Sequence, residues 1–250
     1  MKRRLPPILM TLVLVCALPI WAAFVTSGDV TNPLLTTAGA SEMDLQGMID
    51  LANAGDTIKL SSNTEVYATL QITKNLTLDL NGHVLKMTGN SSVLRVKEGP
   101  HPVTLTITDS RPQNPHTGSY AGLPGGVITG GEGTDAGGSV HSVGGAVFLE
   151  NGTTLNLEGG TITGNSSRGS VFINGATLVM SGGTITGETV GVHNNVGTFT
   201  MTGGRITGCS YRGVYVYNGN MTMSGTAYIR GNPGAKEDIY VREPVHKHTD

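Results

Sequence analysis

Residues 157–188 read LEGGTITGNSSRGSVFINGATLVMSGGTITGE, and the hexapeptide GGTITG occurs twice in this stretch, 23 residues apart. A third copy, GGRITG, begins at Gly203, and a degenerate one, SGTAYIRG, begins at Ser224. The period is therefore about 22 residues. A repeat of that length is too small to bury its own apolar face, so each copy has to stack on its neighbours. We therefore expect a solenoid.

The repeats align without gaps in their cores, and the alignment produces columns of similar residues. Three columns are apolar: Leu155, Leu178, Phe199 and Met221; Leu157, Met180, Met201 and Met223; and Ile162, Ile185, Ile206 and Ile229. Asn- and Gly-containing turns form a fourth column: Asn151-Gly152, Asn174-Gly175, Asn195 with Gly197, and Asn218-Gly219. Three short strands per repeat are typical of a parallel β-helix, in which equivalent residues form ladders. We predict an all-β, right-handed parallel β-helix (solenoid) with about 22 residues per rung, the handedness following from the rule for parallel crossovers.

The first residues predict export. Residues 1–23 begin with a basic cluster, continue with an apolar run and end with small residues, which is typical of a secretory signal peptide. The alternative is an uncleaved membrane anchor, because the apolar run is just long enough to span a bilayer. Residues 24–40 are small, polar and aperiodic, and we predict a linker there. Cys209 is then the single thiol of the mature chain, so no disulfide framework is expected.

A short amphipathic helix is predicted at residues 41–55. Apolar residues recur there at helical spacing, Ser41 and Asp44 form a capping box, and Gly55 supplies the stop. A helix in this place would cover the strand edges that the first turn of a β-helix exposes. We therefore assign it as a short N-terminal capping α-helix.

The remaining chain is assigned to the solenoid. Alternating apolar and polar residues begin at Thr57, and the β-helix is predicted to occupy residues 56–242. Residues at about 110–143 interrupt the alternation and predict an insertion, in which GGVITGG at Gly125 indicates one more repeat. Residues 243–250 are predicted to form a charged C-terminal tail.

Composition limits the classes of function. Charged residues make up 14% of the chain and the formal net charge is −2, so no basic surface of the kind that binds nucleic acid is expected. No motif predicts a cofactor. We expect a monomer that contacts a membrane only through its leader, if the leader is uncleaved.

Several segments resemble a known group of proteins. DLQGMIDLANAGDTIKL, LTLDLNGHVL, GGAVFLEN and the GGTITG copies are similar to the pectate-lyase-like right-handed β-helix proteins of bacterial surfaces, especially their adhesin-like glycine-rich repeats. GGAVFLEN also resembles the repeat of chlamydial polymorphic outer membrane proteins. The resemblance covers roughly residues 43–241 and implies the fold. It leaves the activity open, because this fold hosts lyases, hydrolases, adhesins and spacers.

Polysaccharide-cleaving enzymes need paired carboxylates or an acidic calcium site. Residues 144–234 contain no aspartate, and their glutamates fall in different parts of the repeat. We predict that these glutamates are solvated surface residues: Glu150, Glu158 and Glu188. The sequence therefore favours a protein without catalytic residues.

One cluster of polar residues upstream of the repeats is a candidate catalytic site, and an enzyme is therefore the alternative prediction. Asp79 lies close to Asn81 and His83, and Asp109 follows about one rung later. A carboxylate, an amide and an imidazole could bind a cation or act as acid and base. However, Asp79 alternates with apolar neighbours, which predicts that it lies on the outer face. We predict no metal site and no catalytic role here.

An apolar outer face predicts a binding surface. The strand GVYVYNG places Tyr215 and Tyr217 outward if Val214 and Val216 are core. The equivalent outward positions of earlier rungs are predicted to be Phe148, then Val171 and Ile173, then Val192 and Asn194. Exposed aromatic arrays suit stacking on sugar rings or contact with a protein. The alternative is that the insertion covers this face, or that its residues only stabilise strand pairing.

The sequence therefore predicts an exported, non-catalytic β-helix repeat protein that acts in adhesion or ligand binding at the bacterial cell surface. The expected partner is a polysaccharide or a surface protein, and the candidate ligand-binding residues are Phe148, Tyr211, Tyr215 and Tyr217. One alternative is a polysaccharide lyase or hydrolase that uses Asp79 and Asp109. The other is a passive spacer.

Overall fold

The computed structural model describes residues 29–31, 44–135, 142–167, 169–232 and 238–242. These residues form a parallel β-solenoid of the right-handed type with about seven turns and about 23 residues per turn. The predicted signal peptide, Ser41 of the predicted capping box and the predicted tail lie outside the described residues. No helix within the described ranges is both long and apolar enough to cross a bilayer.

The strands of successive turns build three faces. The first face contains β1 (Asp29–Thr31), β2 (Thr57–Lys59), β5 (Leu76–Asp79), β8 (Thr104–Thr108), β13 (Thr154–Leu157) and β20 (Asn220–Met223). The second contains β3 (Thr64–Val66), β6 (Val84–Met87), β9 (Val127–Thr129), β14 (Thr161–Thr163), β16 (Thr184–Thr186), β18 (Arg205–Thr207) and β21 (Tyr228–Ile229). The third contains β4 (Leu70–Ile72), β7 (Leu94–Val96), β12 (Val147–Leu149), β19 (Arg212–Val216) and β22 (Ile239–Val241).

Two long strands connect the third face to the first. These strands are β15 (Val171–Met180) and β17 (Val190–Met201). They join the two faces into one 13-stranded sheet, whereas the second face is a separate seven-stranded sheet. The register between β15 and β17 shifts around Asn174, which is one of the predicted Asn-Gly turn positions. The corner between the two faces is therefore a bulge in a continuous strand.

Strand register confirms the predicted apolar ladders. On the second face Ile162 pairs with Ile185 and Ile185 pairs with Ile206. On the first face Leu178 pairs with Leu155 below it and Phe199 above it. Members of a ladder lie one strand spacing apart, ~4.8 Å, and these six side chains are at most 1% exposed. The apolar ladders therefore form the core of the solenoid up to its last turn, where the predicted column member Met223 is 42% exposed.

A short helix, α1 (Leu45–Leu51), covers the start of the solenoid. Asp44 caps it by accepting a hydrogen bond from the backbone N–H of Gly47 at 2.7 Å. The side-chain amide of Gln46 accepts from the backbone N–H of Gln71 at 2.7 Å and donates to its carbonyl oxygen at 3.3 Å. One amide thus satisfies both backbone groups that the edge strand β4 presents there.

The helix ends before the predicted stop. Its C-cap is Ala52, whereas Gly55 lies in the following turn with φ of 92°. Strand β1 also differs from the prediction, because it lies within the predicted linker and pairs in parallel with β2. The first turn is therefore covered by a strand on one face as well as by the helix.

The structure divides the predicted insertion into two segments. Strand β9 pairs with β6 and β14, so the GGVITGG segment is a rung of the second face, as its sequence indicates. A longer loop with a 3₁₀ turn (Gly118–Tyr120) precedes β9. The antiparallel strands β10 (Thr134–Asp135) and β11 (Ser142–Val143) follow it. Glycine is required at Gly126, since a Cβ atom there would lie 2.2 Å from the Cβ of Leu80.

The ladder register makes a direct prediction for stability. Ile185 is completely buried and Thr184 on the same strand is not. Ile185→Ala should lower the free energy of unfolding by about 2–5 kcal/mol because it leaves a cavity, whereas Thr184→Ala should change it by no more than about 0.5 kcal/mol. Urea denaturation followed by circular dichroism measures both values. Equal and small losses for the two variants would contradict the register.

Candidate ligand-binding face

A continuous stack of aromatic side chains runs along the outside of the third face. Strand pairing aligns Phe148, Phe172, His193, Tyr215 and Tyr240, one from each of five successive strands. The centroids of neighbouring rings are 5.4, 5.0, 4.7 and 5.4 Å apart, in chain order. We call these five residues the aromatic column. The parallel register that builds the core therefore also builds an ordered outer stack.

The structure corrects the predicted outward positions of the middle rungs. Val171, Ile173, Val192 and Asn194 were expected to face outward, but all four are completely buried. They pair with the inward residues of the neighbouring turns. Both faces of these strands are apolar, so alternation alone does not distinguish the inner face from the outer one.

Exposure divides the aromatic column into two parts. Phe148 and Phe172 are 5% and 4% exposed and pack against each other apart from the main core. Tyr215 and Tyr240 are partly exposed, as is Tyr217 beside them. The accessible part of the column therefore lies at its C-terminal end.

Two arginine side chains lie over the exposed tyrosine rings. The Cζ atom of Arg212 is 3.8 Å from the ring centroid of Tyr240, 4.5 Å from that of Tyr211 and 5.1 Å from that of Tyr215. The Cζ atom of Arg242 is 4.2 Å from the ring centroid of Tyr217. Such cation–π contacts hold the planar guanidinium groups against the rings. We call this set the tyrosine–arginine patch: Tyr211, Tyr215, Tyr217, Tyr240, Arg212 and Arg242.

The structure brings three of the four predicted ligand-binding residues together. Tyr215 and Tyr217 lie 6.3 Å apart between ring centroids, and Tyr211 joins them through the side chain of Arg212. Tyr211 is 49% exposed. Phe148 belongs to the same aromatic column but lies three strands away from Tyr215 and is buried.

Sequence reasoning missed several members of the face. A usable signal was present, because an aromatic residue between two apolar β-formers recurs as VFL, VFI, VYV and IYV. The central residues of these triplets are Phe148, Phe172, Tyr215 and Tyr240. The two arginines carry no comparable signal, since their role depends on which rings surround them in space.

Asp79 alternates with the core residues Leu78 and Leu80, as predicted for an outer-face position, but its carboxylate is buried rather than solvated. It is 5% exposed. Its Oδ1 accepts hydrogen bonds from the backbone N–H groups of Asn81 at 2.8 Å and Ser110 at 2.9 Å, and Lys59 Nζ lies 3.3 Å from Oδ2. Burial alone would raise the pKa of Asp79, but hydrogen bonds from Ser110, Asn81 and Lys59 outweigh it and lower the pKa. Asp79 is therefore held as an anion that organises two turns.

Asp109 is similarly engaged by backbone groups. Its Oδ1 accepts from the N–H of Gly82 at 2.7 Å and of Arg111 at 3.2 Å, and its Oδ2 accepts from Gly126 at 2.6 Å. Burial and the positive charge of Arg111 lower the pKa of nearby His83. Among the described residues, no group of three or more His, Cys, Asp and Glu side chains could hold a metal ion. The arrangement supports a structural role for these carboxylates.

A buried polar ladder follows the TITG segments. Glu188 was predicted to be solvated, but it is 1% exposed. Its two carboxylate oxygens accept from the backbone N–H and the side-chain Nδ2 of Asn165, each at 3.1 Å. Burial raises the pKa of Glu188 to about 7, although the hydrogen bonds from Asn165 oppose the shift. The next members of this ladder are Cys209 and Asn232, joined by a hydrogen bond of 2.9 Å from the Cys209 N–H to Asn232 Oδ1.

Glu158, Glu150 and Cys209 differ in how far the structure exposes them. Glu158 is exposed, as predicted. Glu150 is half-buried and pairs with Arg95 at 2.5 Å. Cys209 is completely buried, and burial raises the pKa of its thiol to about 11. This environment favours the interpretation of Cys209 as a small packing residue over an intermolecular disulfide.

No protein-family model, curated protein or solved structure matches the chain. The case for function therefore rests on the geometry of the third face.

Glu188 makes stability depend on pH. Its pKa is about 7 in the folded chain against a reference value of 4.5, so the folded chain binds more protons than the unfolded chain between these values. The free energy of unfolding should therefore fall as the pH rises from 4.5 to 7, by up to about 3 kcal/mol. Below pH 4.5 the carboxyl group is protonated in both the folded and the unfolded chain, so Glu188 should no longer reduce the free energy of unfolding.

The matched variant is Glu188→Gln, which keeps the shape of the side chain and removes its titration. Urea denaturation of both proteins at a series of pH values measures the difference in slope. The variant should be less sensitive to pH than the wild type over this range. Identical slopes would show that Glu188 does not titrate inside the fold.

Proposed function

We propose that the chain is an exported, non-catalytic repeat protein that binds glycans at the bacterial cell surface through the tyrosine–arginine patch. The observation that carries this proposal is the aromatic column, which ends in a cluster of partly exposed tyrosine rings on a rigid sheet. Export and surface location come from the predicted signal peptide and from the resemblance of the repeats to surface proteins.

The rings of the patch combine stacked and edge-on orientations. Tyr215 and Tyr240 are stacked, with an angle of 27° between their planes, and Tyr217 stands at 63° to Tyr215. An aromatic ring presents an apolar face on which the C–H face of a sugar packs, while the phenol hydroxyl remains free to hydrogen-bond. The combination of an apolar body with a polar tip suits a carbohydrate.

The support beneath the rings reduces the cost of binding. The neighbours of Tyr215 along its strand, Val214 and Val216, are buried in the core ladders. The ring of His193, on the preceding strand, packs against the ring of Tyr215. Side chains that are already ordered lose little conformational entropy when a ligand binds. The column therefore acts as a rigid platform for its exposed end.

The observed carboxylate contacts favour binding over cleavage. Glycosidic cleavage by two carboxylates requires one to donate a proton and the other to attack or activate water. Each oxygen of Asp109 accepts at least one backbone hydrogen bond, and Asp79 pairs with Lys59. The tyrosine–arginine patch itself contains no carboxylate. Cleavage by a lyase or hydrolase is therefore the alternative, and the test below detects it as released oligosaccharide.

The test is a binding screen of the full chain against a panel of polysaccharides, with released oligosaccharide measured in every sample. Tyr215→Ala/Tyr217→Ala should weaken binding at least about tenfold, because two stacking surfaces are lost. Tyr228→Ala is the matched control, since Tyr228 is an exposed tyrosine that contacts Arg205 on the second face. It should leave the affinity unchanged.

Three outcomes would contradict the proposal. Equal losses in the double variant and the control would remove the patch as the site, and binding to no polysaccharide would reject glycan as the ligand. Release of oligosaccharide would establish an enzyme and direct mutagenesis to Asp79 and Asp109. Because Tyr215 is partly buried, Tyr211→Ala serves as a second variant, its side chain being 49% exposed and outside the strand.

A further inference from the structure

The two arginines of the tyrosine–arginine patch differ from Arg95, which contacts the other end of the aromatic column. The ion pairs among the described residues are Lys59 with Asp79, Lys86 with Glu65, and Arg95 with Glu150. Neither Arg212 nor Arg242 pairs with a carboxylate in the described part of the chain. The exposed end of the aromatic column therefore carries two cations that form no ion pair with any residue that the structure describes.

Arg95 shows how this column accommodates an arginine that only supports structure. Its Cζ lies 5.3 Å from the ring centroid of Phe148, and its Nε donates to Glu150. The same Glu150 accepts from the backbone N–H of Glu98 at 2.8 Å. At the N-terminal end the cation–π contact is thus completed by a carboxylate of the chain. At the C-terminal end the corresponding carboxylate is missing from the described residues.

Within the described ranges, no hydrogen bond or ion pair uses the side-chain N–H donors of Arg212. Rings of Tyr211, Tyr215 and Tyr240 lie within 5.1 Å of its Cζ. The five N–H donors of a guanidinium group lie in its plane and match the oxygens of an oxyanion in pairs. Contacts with ring faces hold this group without using those donors, whereas a carboxylate partner would use them.

The two cations also lie over different rings of the patch, Arg212 nearest to Tyr240 and Arg242 over Tyr217. Along the strand direction Arg212 precedes Tyr215, and Arg242 follows Tyr240, which pairs with Tyr215. The nearest described carboxylate in sequence, that of Asp238, accepts two hydrogen bonds from Asn232 instead. A ligand that reaches the tyrosine rings therefore also reaches both positive groups.

We propose that the ligand is an anionic glycan, whose carboxylate or sulfate groups are bound by Arg212 and Arg242 while its sugar rings stack on the tyrosines. The inference rests on the proposed glycan-binding function and adds the charge of the ligand. Arg212 is the specificity-determining residue, because three rings orient it. Arg242, held by one ring, extends the site to a neighbouring sugar.

The test compares polymers that share a backbone and differ only in charge. Dextran, carboxymethyl dextran and dextran sulfate form one series, and hydroxyethyl cellulose, carboxymethyl cellulose and cellulose sulfate form another. The full chain is titrated with each polymer by isothermal calorimetry. At least one anionic member should bind about tenfold or more tightly than its neutral counterpart, with affinity falling as salt is added. The two anionic arms identify whether a carboxylate or a sulfate is preferred.

Arg212→Gln should reduce affinity for the anionic polymer about tenfold and should reduce affinity for the neutral polymer clearly less, because only the anionic polymer loses a charge partner. Arg205→Gln is the matched control, since Arg205 stacks on Tyr228 at 4.5 Å on the second face. It should have no effect on either polymer. Arg212→Lys should recover only part of the affinity, because lysine keeps the charge and loses the planar pair of donors.

The outcomes separate this inference from the proposed function. Equal affinity for neutral and anionic members, with no effect of Arg212→Gln, would overturn the inference while the proposed function survives. Failure of every polymer to bind would overturn both. If Arg212→Gln disturbs the fold, the wild-type comparison of neutral and anionic polymers still decides, since it requires no substitution.

Discussion

In-register parallel pairing between successive turns is the interaction on which the whole structure depends. A turn of about 23 residues has no regular partner within itself, so its strand hydrogen bonds go to the turns below and above. This pairing places equivalent positions one above another. Apolar residues that face inward form the core ladders, and aromatic residues that face outward form the aromatic column. One constraint thus produces both the stability of the solenoid and the arrangement of its outer surface.

The sequence was sufficient for the fold and for much of the core. The repeat spacing and the columns headed by Leu155 and Ile162 correspond to the observed register, because inward positions require similar side chains in every turn. Glu188 was missed because the position after TITG holds an amide, an acid or a thiol in different repeats, and only the packing shows that this position is buried. Asp79 was missed because the loop that covers it lies some thirty residues away, as its bond from Ser110 shows.

The candidate site was predicted in part: its exposed tyrosines could be found from the sequence, whereas the rest of the column and the arginines could not. Tyr215 and Tyr217 could be found because aromatic residues in an exposed strand contrast with their valine neighbours. In VFI and VGVHN, apolar or mixed residues occupy both faces, so the pattern does not reveal which residue continues the column. The contacts of the arginines could not be predicted from the sequence. The side chain of Arg212 contacts rings from two different strands, β19 and β22, and the ring of Tyr211, which precedes β19.

The ladder register also has a consequence for how such a molecule changes by duplication. Each inner turn meets nearly the same surroundings, so adding or deleting one whole repeat leaves the neighbouring contacts almost intact. The length of the solenoid then changes in steps of ~4.8 Å. Gene segments that gain or lose a repeat would therefore move the tyrosine–arginine patch towards or away from α1 in fixed increments. The number of repeats sets the reach of the patch independently of its chemistry.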